Sequence, residues 1–368
     1  MTENRRLMRT PKSVDVDITS QCNLRCKYCF HKSSAGDTRD ELPTEEWVRF
    51  FAECGSNAVM DVTIGGGEPF LRPDLTALVD AVVANRMRFS VLSNGGKITP
   101  EVARHLAATG RCNHVQISVD GASAEVHDRL RGRGAFEGAM RGIRILKEAG
   151  VAITSRITIH RYNIADLDNI VALLIDQIGM PSISTNSACH QGLAREFEEE
   201  VQLTPQEQCD AMEKIVALSK RYGNRITAQA GPLAQARGYQ QMEDARKQGV
   251  GIPGRGYLTG CGCMWSKIAV RPDGTYVPCG MLSHMALGRI NRDRLLDVWQ
   301  NHAELTALRN RYRIPLSKFQ ACADCAWQMT CTGNCPAGTY TRTGEVYAPN
   351  TDDCLKRFLE KGGRFVEV

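Results

Sequence analysis

Short apolar stretches alternate with longer amphipathic stretches through the first half of the chain. The apolar stretches are rich in Val, Ile and Phe and have the length of β-strands. The longer stretches carry apolar residues at helical spacing, and Thr44 and Pro100 are typical residues for a helix start. The predicted strands are Val14–Ile18, Val62–Ile64, Phe89–Leu92, Val115–Val119, Ala152–Ile159 and Ser182–Thr185. The predicted helices are Thr44–Ala52, Pro73–Ala84, Pro100–Ala107, Phe136–Ala149 and Ala165–Ile178.

This alternation, with a period of about thirty residues, is typical of parallel β-α-β units. We therefore predict an α/β fold. Six such units favour an open, partial (β/α)6 TIM-like barrel over a closed barrel of eight units. In sheets of this kind the active site lies at the carboxyl ends of the strands.

The rest of the chain changes in character. Residues 1–190 hold the barrel pattern, residues 191–258 form a polar connecting helical segment, and residues 259–368 form a small Cys-rich domain with short strands and turns. In the last two segments we predict helices at Glu196–Val201 and Pro205–Tyr222 and strands at Ser266–Val270 and Thr275–Pro278.

The overall composition is that of an ordinary folded protein, with 42% hydrophobic and 24% charged residues in 368. Lys and Arg exceed Asp and Glu by 46 − 41 = 5, an excess too small to demand a nucleic acid or an anionic membrane as partner. We expect no export signal and no membrane span, and hence a cytoplasmic protein. In that compartment thiols stay reduced, so the 15 cysteines favour metal or cluster ligation over disulfides.

Three cysteines follow the first predicted strand with the spacing Cys22-x3-Cys26-x2-Cys29. Three thiolates can hold three irons of a 4Fe–4S cluster and leave the fourth iron open to an exogenous ligand. A closed structural zinc site would need a fourth ligand, and the neighbouring sequence offers none.

With Tyr28 before the last cysteine, this spacing resembles the signature of the radical S-adenosylmethionine (SAM) superfamily. Gly66-Gly67-Glu68-Pro69, Ser93-Asn94-Gly95 and Ser118-Val119-Asp120-Gly121 follow the second, third and fourth strands in the order of that family. The resemblance covers about residues 12–190. It implies that SAM binds the open iron through its amino and carboxylate groups and is cleaved to a 5′-deoxyadenosyl radical.

The same resemblance implies which residues contact SAM. Tyr28 would lie near the adenine, and Arg156 would contact the carboxylate. The alternatives are a core aromatic residue for Tyr28 and a solvated surface charge for Arg156. The remaining residues expected to bind the cofactor are Gly66, Gly67, Glu68, Ser93, Ser118 and Asp120.

Eight further cysteines lie in the tail, enough for two fully ligated four-iron clusters or, alternatively, two zinc sites. Their order resembles the SPASM extension of radical SAM enzymes over about residues 259–358. The resemblance implies three 4Fe–4S clusters in all, one that binds SAM and two auxiliary ones. It assigns Cys261, Cys263, Cys279 and Cys335 to the first auxiliary cluster and Cys322, Cys325, Cys331 and Cys354 to the second. Either Cys261 or Cys263 could begin the pattern.

Four cysteines remain outside these sets. We expect Cys54, Cys112 and Cys209 to be inert buried thiols. Cys189 follows the sixth predicted strand, where a catalytic thiol is possible and an inert one is favoured. The sequence identifies no general base.

Fully ligated auxiliary clusters could accept an electron from a substrate radical, so the resemblance implies a net oxidation such as a crosslink. It favours a precursor peptide as substrate, a flavodoxin- or ferredoxin-like electron donor and a separate leader-recognition protein. A heme-precursor decarboxylase and a carbohydrate or aminoglycoside dehydrogenase are the alternatives, and a zinc-stabilised binding module is the non-enzyme alternative. Gly280 stands where sulfatase-maturing relatives carry an acidic residue, which disfavours formylglycine formation.

Overall fold

The computed structural model of the chain describes residues 7–32, 40–259 and 261–368, without the side chain of Cys263. Its strands are β1 (Ser13–Thr19), β2 (Asp61–Gly66), β3 (Arg88–Ser93), β4 (Cys112–Ser118), β5 (Ile153–Ile159), β6 (Ile183–Ser187), β7 (Ile226–Ala228), β8 (Lys267–Val270), β9 (Thr275–Val277) and β10 (Gly288–Arg289). Over these described residues they form one sheet in the order β10-β9-β8-β1-β2-β3-β4-β5-β6-β7.

Most of the sheet is parallel. Strands β1 to β7 are parallel to one another, and β8 pairs parallel with β1. On its other side β8 pairs antiparallel with β9, and β9 pairs antiparallel with β10. The eight predicted strands, found as β1 to β6, β8 and β9, and the α/β class are confirmed. Three features of the sheet were not predicted. Strand β7 extends the parallel part beyond β6, and the short strand β10 forms the opposite edge. Strand β8 of the Cys-rich segment pairs with β1, so the sheet continues across the boundary predicted at residue 259.

The strands have one apolar face and one polar face. In β1 the alternating residues from Val14 to Ile18 are fully buried, in the same core as the helix residues Trp47 and Phe50. Asp15 and Asp17 lie between them and point to the other side of the sheet. We call this second side the polar strand face; it includes Asp15, Thr63, His114, Gln116, Arg156 and Ser184.

The sheet curls so that its polar strand face is concave. Arg156 on β5 interacts electrostatically with Asp15 on β1, although three strands separate β1 from β5. In a flat sheet, strands spaced about 4.8 Å apart would keep these residues about 19 Å from each other. Lys267 on β8 approaches from the other edge and donates to Asp15 at 2.6 Å. The polar strand face therefore lines the inside of a partial barrel.

Helices cover the apolar face of the sheet and continue into the Cys-rich segment. They are α1 (Thr44–Ser56), α2 (Leu75–Ala84), α3 (Pro100–Ala108), α4 (Ala124–Arg131), α5 (Ala135–Glu148), α6 (Leu167–Val171, continued by a π-helical turn Ala172–Gln177), α7 (Leu193–Glu196), α8 (Glu198–Val201), α9 (Pro205–Tyr222), α10 (Pro232–Lys247), α11 (Cys263–Ser266), α12 (Leu295–Asn301), α13 (Ala303–Arg309), α14 (Gln320–Ala323), α15 (Pro336–Thr343) and α16 (Leu355–Glu360). None of the helices in the described part of the chain is long and apolar enough to cross a bilayer.

Helix α4 was not predicted, and it supplies a buried polar cluster at the carboxyl ends of β4 and β5. The Asp120 carboxylate accepts hydrogen bonds from Arg131 Nε at 2.6 Å and from the Thr158 amide at 2.7 Å. The Asp120 amide donates to His127 Nδ1 at 3.1 Å. His160 lies next to this cluster and is 1% exposed.

Glycines allow the loop after β3 to lie directly against α5. A Cβ atom on Gly142 would overlap the carbonyl oxygen of Gly95, and one on Gly138 would lie 3.1 Å from the Cα atom of Gly96. Because the obstacle is backbone, no rotamer change can relieve the overlap. The position of the loop that begins at Asn94 therefore depends on the bare surface of α5.

Gly142→Ala is expected to destabilise the protein by about 1–3 kcal/mol, because the new methyl group forces the loop after β3 away from α5. The matched control is Gly238→Ala inside α10, where an added Cβ meets no atom within 4 Å. This control should gain about 0.5–1 kcal/mol from helix propensity. Urea unfolding curves measure both, and a neutral Gly142→Ala would contradict the packing described.

Acidification is expected to destabilise the fold through two histidines. Burial, the main cause, lowers the pKa of His127 and of His160 to about 4. Since an unfolded histidine titrates near 6.5, the unfolded chain binds more protons below that pH. The stability is therefore complete above about pH 6.5 and is lost as the pH falls toward 4. Each histidine should cost about 2 kcal/mol between about pH 7 and pH 5.

Urea unfolding at the two pH values measures this loss, and His160→Phe serves as the comparison. Neither ring nitrogen of His160 has a hydrogen-bond partner among the described residues, so phenylalanine removes the titration without breaking a bond. The loss should fall by about half in that variant. An equal loss in both proteins would show that His160 does not titrate as described.

Candidate active site

The first three cysteines lie on the loop that leaves β1 at the carboxyl edge of the sheet. Cys22 Sγ accepts the amide hydrogen of Leu24 at 3.4 Å, and the Cys29 amide donates to the Cys26 carbonyl at 3.0 Å. The three thiols also interact electrostatically with one another. The structure therefore brings the predicted Cys22, Cys26 and Cys29 together.

The surroundings of these thiols suit a bound cation. Burial, the largest cause, raises the pKa of Cys22 and raises that of Cys26 to about 12. Buried thiols of this kind stay protonated unless positive charge reaches them, and coordination to a metal deprotonates a thiol outright. Three mutually close thiols, with an amide N–H directed at one sulfur, fit three ligands of an iron–sulfur cluster.

Two glycines hold the cysteine loop against the loop after β2. Gly66 has a φ of +117°, and a Cβ atom there would overlap the carbonyl oxygen of Thr19. A Cβ atom on Gly67 would overlap the carbonyl oxygen of Gln21, the residue before Cys22. The Gly67 amide donates to the Thr19 carbonyl at 2.8 Å. These predicted cofactor-binding glycines thus also position Cys22.

Glu68 and Ser93 are joined in the structure. The buried Glu68 carboxylate accepts hydrogen bonds from Ser93 Oγ at 2.8 Å and from the Asn94 amide at 2.7 Å. Burial is the largest influence and raises the Glu68 pKa, while these hydrogen bonds oppose it. Protein groups therefore satisfy this carboxylate, which braces the loop after β3, and the cofactor contact expected for Glu68 stays a prediction.

Asp120 and Tyr28 are joined in the same way. The Tyr28 hydroxyl donates to the Asp120 carboxylate, which Arg131 also contacts. Burial acts to raise the Asp120 pKa, but the charge of Arg131, assisted by His127 and His160, lowers it overall. This ion pair gives Asp120 a positioning role, and the cofactor contact expected for it stays a prediction.

Arg131 and His127 are the residues that the sequence analysis missed. The Lys27 amide donates to the Leu130 carbonyl at 2.8 Å, so the end of α4 also holds the loop between Cys26 and Cys29. A signal for this helix was present: Ser123 is a good first residue, and His127 and Arg131 are one turn apart.

Several buried polar atoms at the carboxyl ends of β5 and β6 have no hydrogen-bond partner among the described residues. They include both ring nitrogens of His160, Asn186 Oδ1 and Gln191 Oε1. Because a buried polar atom without a partner is costly, such atoms beside the cysteine loop suit a polar ligand. The Tyr28 ring lies next to them, with its centroid 6.1 Å from that of His160.

The other predicted SAM contacts lie on the polar strand face. Ser118, Arg156 and Ser184 are register partners on β4, β5 and β6, and Arg156 Nε donates to Ser184 Oγ at 3.3 Å. Arg156 is exposed toward the barrel interior, and His114 lies within its electrostatic range. Ser118 and Arg156 thus line one wall of the interior.

The tail cysteines separate into the two predicted sets. Cys335 interacts electrostatically with Cys261 and Cys279. The second set has the same kind of contacts, because Cys322 interacts with Cys325, Cys331 and Cys354. The side chain of Cys263 lies outside the described residues. Among the described side chains, no three His, Cys, Asp or Glu groups are placed to hold a single metal ion.

Cys189 lies between the first cysteine loop and the tail. Its thiol interacts electrostatically with Cys335, Cys29 and Cys279, and burial is the main cause that raises its pKa to about 12. The Leu193 amide donates to the Cys29 carbonyl at 2.9 Å, which holds this segment against the cysteine loop. The role of Cys189 stays a prediction.

Residues 188–198, which we call the bridging segment, also contact α15. Arg195 donates to the Thr341 carbonyl at 2.7 Å, and Arg342 forms an ion pair with Glu198 at 2.7 Å. Because α15 begins directly after Cys335, the bridging segment ties the first auxiliary set to the mouth of the barrel.

Comparisons with known proteins agree with this architecture. A model of the Radical SAM superfamily matches residues 16–174, and a model of the SPASM iron–sulfur cluster-binding domain matches residues 261–326. Mycofactocin maturase MftC from Mycobacterium tuberculosis is 31% identical over 328 residues, which cover 88% of this chain and 78% of the relative. The AdoMet-dependent heme synthase of Methanosarcina barkeri is 27% identical over 362 residues, which cover 95% of this chain and 98% of the relative.

A solved structure supports the fold. Streptococcus suis SuiB, bound to its precursor peptide SuiA, superposes with a TM-score of 0.71 at 16% identity, over 95% of this chain and 77% of that one. Together with the relatives, these matches show that the chain belongs to the radical SAM superfamily and is an enzyme that uses S-adenosylmethionine and iron–sulfur clusters, with a SPASM domain after the barrel.

Proposed function

We propose that this enzyme cleaves SAM reductively and uses the 5′-deoxyadenosyl radical so formed to abstract hydrogen from a peptide, giving a net oxidative modification such as a crosslink. The observation that carries the proposal is the placement of Cys189 and the bridging segment. They join the first cysteine loop to Cys279 and Cys335 of the first auxiliary set. An oxidation needs an electron acceptor close to the reacting substrate, and the first auxiliary set supplies candidate ligands for one.

Some residues at the barrel mouth hold the cysteine loop, and others are placed to contact SAM. The glycine loop after β2 and helix α4 hold the cysteine loop from opposite sides. On the interior wall, Ser118 and Arg156 offer hydrogen bonds and a positive charge for SAM. Asn186, the register partner of Thr158 on the same face as Arg156, offers a further polar contact through its unpartnered Oδ1.

A peptide suits the interior of this barrel. The polar strand face carries hydroxyl, amide and charged groups, which can pair with the amides of an extended chain. Among the relatives, the mycofactocin maturase and SuiB with its precursor peptide favour the same substrate class. Gly280, which follows Cys279, carries no carboxylate, so the proposal does not extend to formylglycine formation.

Decarboxylation of a heme precursor is the second candidate. It is favoured by the heme synthase relative, which this chain matches over 98% of its length, and by the cationic Arg156 in the interior, which could pair with a propionate. Mass spectrometry separates the two candidates, since a crosslinked peptide loses hydrogen atoms and a decarboxylated tetrapyrrole loses carbon dioxide.

We further propose three 4Fe–4S clusters. The first would use Cys22, Cys26 and Cys29. The two auxiliary clusters would use the two tail sets, with Cys263 completing the first of them. A separate leader-recognition protein and a flavodoxin- or ferredoxin-like electron donor complete the proposed system.

Replacement of Cys26 by Ala is expected to lower the rate of 5′-deoxyadenosine formation by more than about 100-fold. Loss of a direct ligand should exceed the loss of activity, up to about 100-fold, that follows when a residue behind a metal ligand is changed. Iron content in anaerobically purified protein should fall from about twelve to about eight atoms per chain. Cys112→Ala, a thiol on β4 outside the three sets, should change neither value. A zinc-loaded, colourless wild-type protein would contradict the proposal and favour a zinc-stabilised binding module.

Replacement of both Cys322 and Cys325 by Ala is expected to leave SAM cleavage by dithionite-reduced enzyme within about threefold of wild type, because Cys322 and Cys325 belong with the tail thiols Cys331 and Cys354 and not with the first cysteine loop. The oxidised product should disappear, since the proposed second auxiliary cluster would lose two of its four ligands. Liquid chromatography and mass spectrometry quantify deoxyadenosine and product in one reaction. Unchanged product yield would refute the electron-acceptor role.

A further inference from the structure

A cationic cleft of about 280 Å³ lies outside the barrel, next to the first cysteine loop. Three cations, Lys97, Arg133 and Arg141, line it, and its lining contains no carboxylate and no strand residue. Lys97 and Arg133 are exposed, and neither forms an ion pair within the described residues. Arg141 is held in place, because its guanidinium donates to the Gly96 carbonyl at 2.9 Å.

One wall of this cleft directly contacts a cluster ligand. Asn23 and Leu24 line the cleft and follow Cys22 in the chain. The Asn94 side-chain amide, also in the lining, donates to Asn23 Oδ1 at 3.0 Å and contacts Cys22 Sγ at 3.8 Å. A single layer of side chains therefore separates the cleft from the Cys22 sulfur.

The chemistry of the cleft fits an acidic protein surface better than a small anion. The amides of Gly134 and Phe136 at the start of α5 would be the donors for a small anion. Both already bind the Asp128 carboxylate, at 2.7 Å and 2.8 Å. What the cleft offers instead is long, separated cationic side chains, which match carboxylates spread over a partner's surface.

We infer that this cleft is the docking site of the electron donor, an acidic low-potential one-electron carrier of the flavodoxin or ferredoxin kind. The inference rests on the proposed function, which requires one electron for each SAM molecule cleaved. The carrier loses that electron and the first iron–sulfur cluster gains it, and no atom moves between the proteins. Docking on the outer side of the barrel leaves its interior open to SAM and substrate.

The test is the double charge reversal Lys97→Glu and Arg133→Glu. With photoreduced flavodoxin as donor at low ionic strength, the rate of deoxyadenosine formation should fall by about 10-fold or more, because steering between opposite charges is lost. The flavodoxin concentration for half-maximal rate should rise, and the difference from wild type should shrink in high salt. With dithionite, which needs no docking surface, both proteins should cleave SAM at equal rates.

The reversals are not expected to harm the fold. Lys97 and Arg133 precede the starts of α3 and α5, where acidic side chains are favourable. The matched control, Lys220→Glu with Lys247→Glu, makes the same charge change on α9 and α10. It should keep the wild-type rate with either reductant.

Equal flavodoxin-driven rates in the wild type and the cleft variant would overturn the inference, as would an equal loss in the control variant. A defect that appears only in the half-saturating concentration of peptide would also overturn it, since the cleft would then bind substrate. Absence of dithionite-driven SAM cleavage in wild-type enzyme would instead refute the proposed function.

Discussion

The close contact between the cysteine loop and the loop after β2 is the constraint on which the site depends. Gly66 and Gly67 lie so close to the backbone of residues 19–21 that any side chain at either position would collide with it. Glu68 extends this contact to the next loop by accepting the Asn94 amide at 2.7 Å. The ends of β1 and β2 are therefore coupled through backbone that cannot change rotamer, which positions Cys22, and the Glu68 side chain links them to the end of β3.

Cys26 is positioned by a different kind of interaction. The buried pair of Arg131 and Asp120 secures the end of α4 against the ends of β4 and β5, and the α4 backbone then holds the loop at Lys27. Because loss of either partner would leave a buried charge without compensation, this side of the site depends on electrostatics. One side of the loop is fixed by steric fit and the other by charge.

The sequence predicted those features that depend on local pattern. The runs from Val14 to Ile18 and from Val115 to Val119 are strands, whereas the division of the tail cysteines into two sets came from the family resemblance and stays a prediction. The sequence could not reveal that the carboxylates of Glu68 and Asp120 turn into the protein, because a motif lists residues and not their partners. The three-residue strand β7 has no distinctive local pattern. Strand β8 was predicted, but its pairing with β1 is set by tertiary contacts that a local pattern does not contain.

The thiols of the first cysteine loop face two different parts of the molecule. Cys22 faces the cationic cleft, whereas Cys29 faces Cys189 and, through it, Cys279 and Cys335. An electron that enters beside Cys22 and a substrate electron that leaves toward the tail would therefore move on opposite sides of the SAM site. With the proposed donor in the cleft, the reductant and the substrate would then not compete for the same surface. The bridging segment is then more than a linker, because its contacts with α15 fix the distance between the two sides.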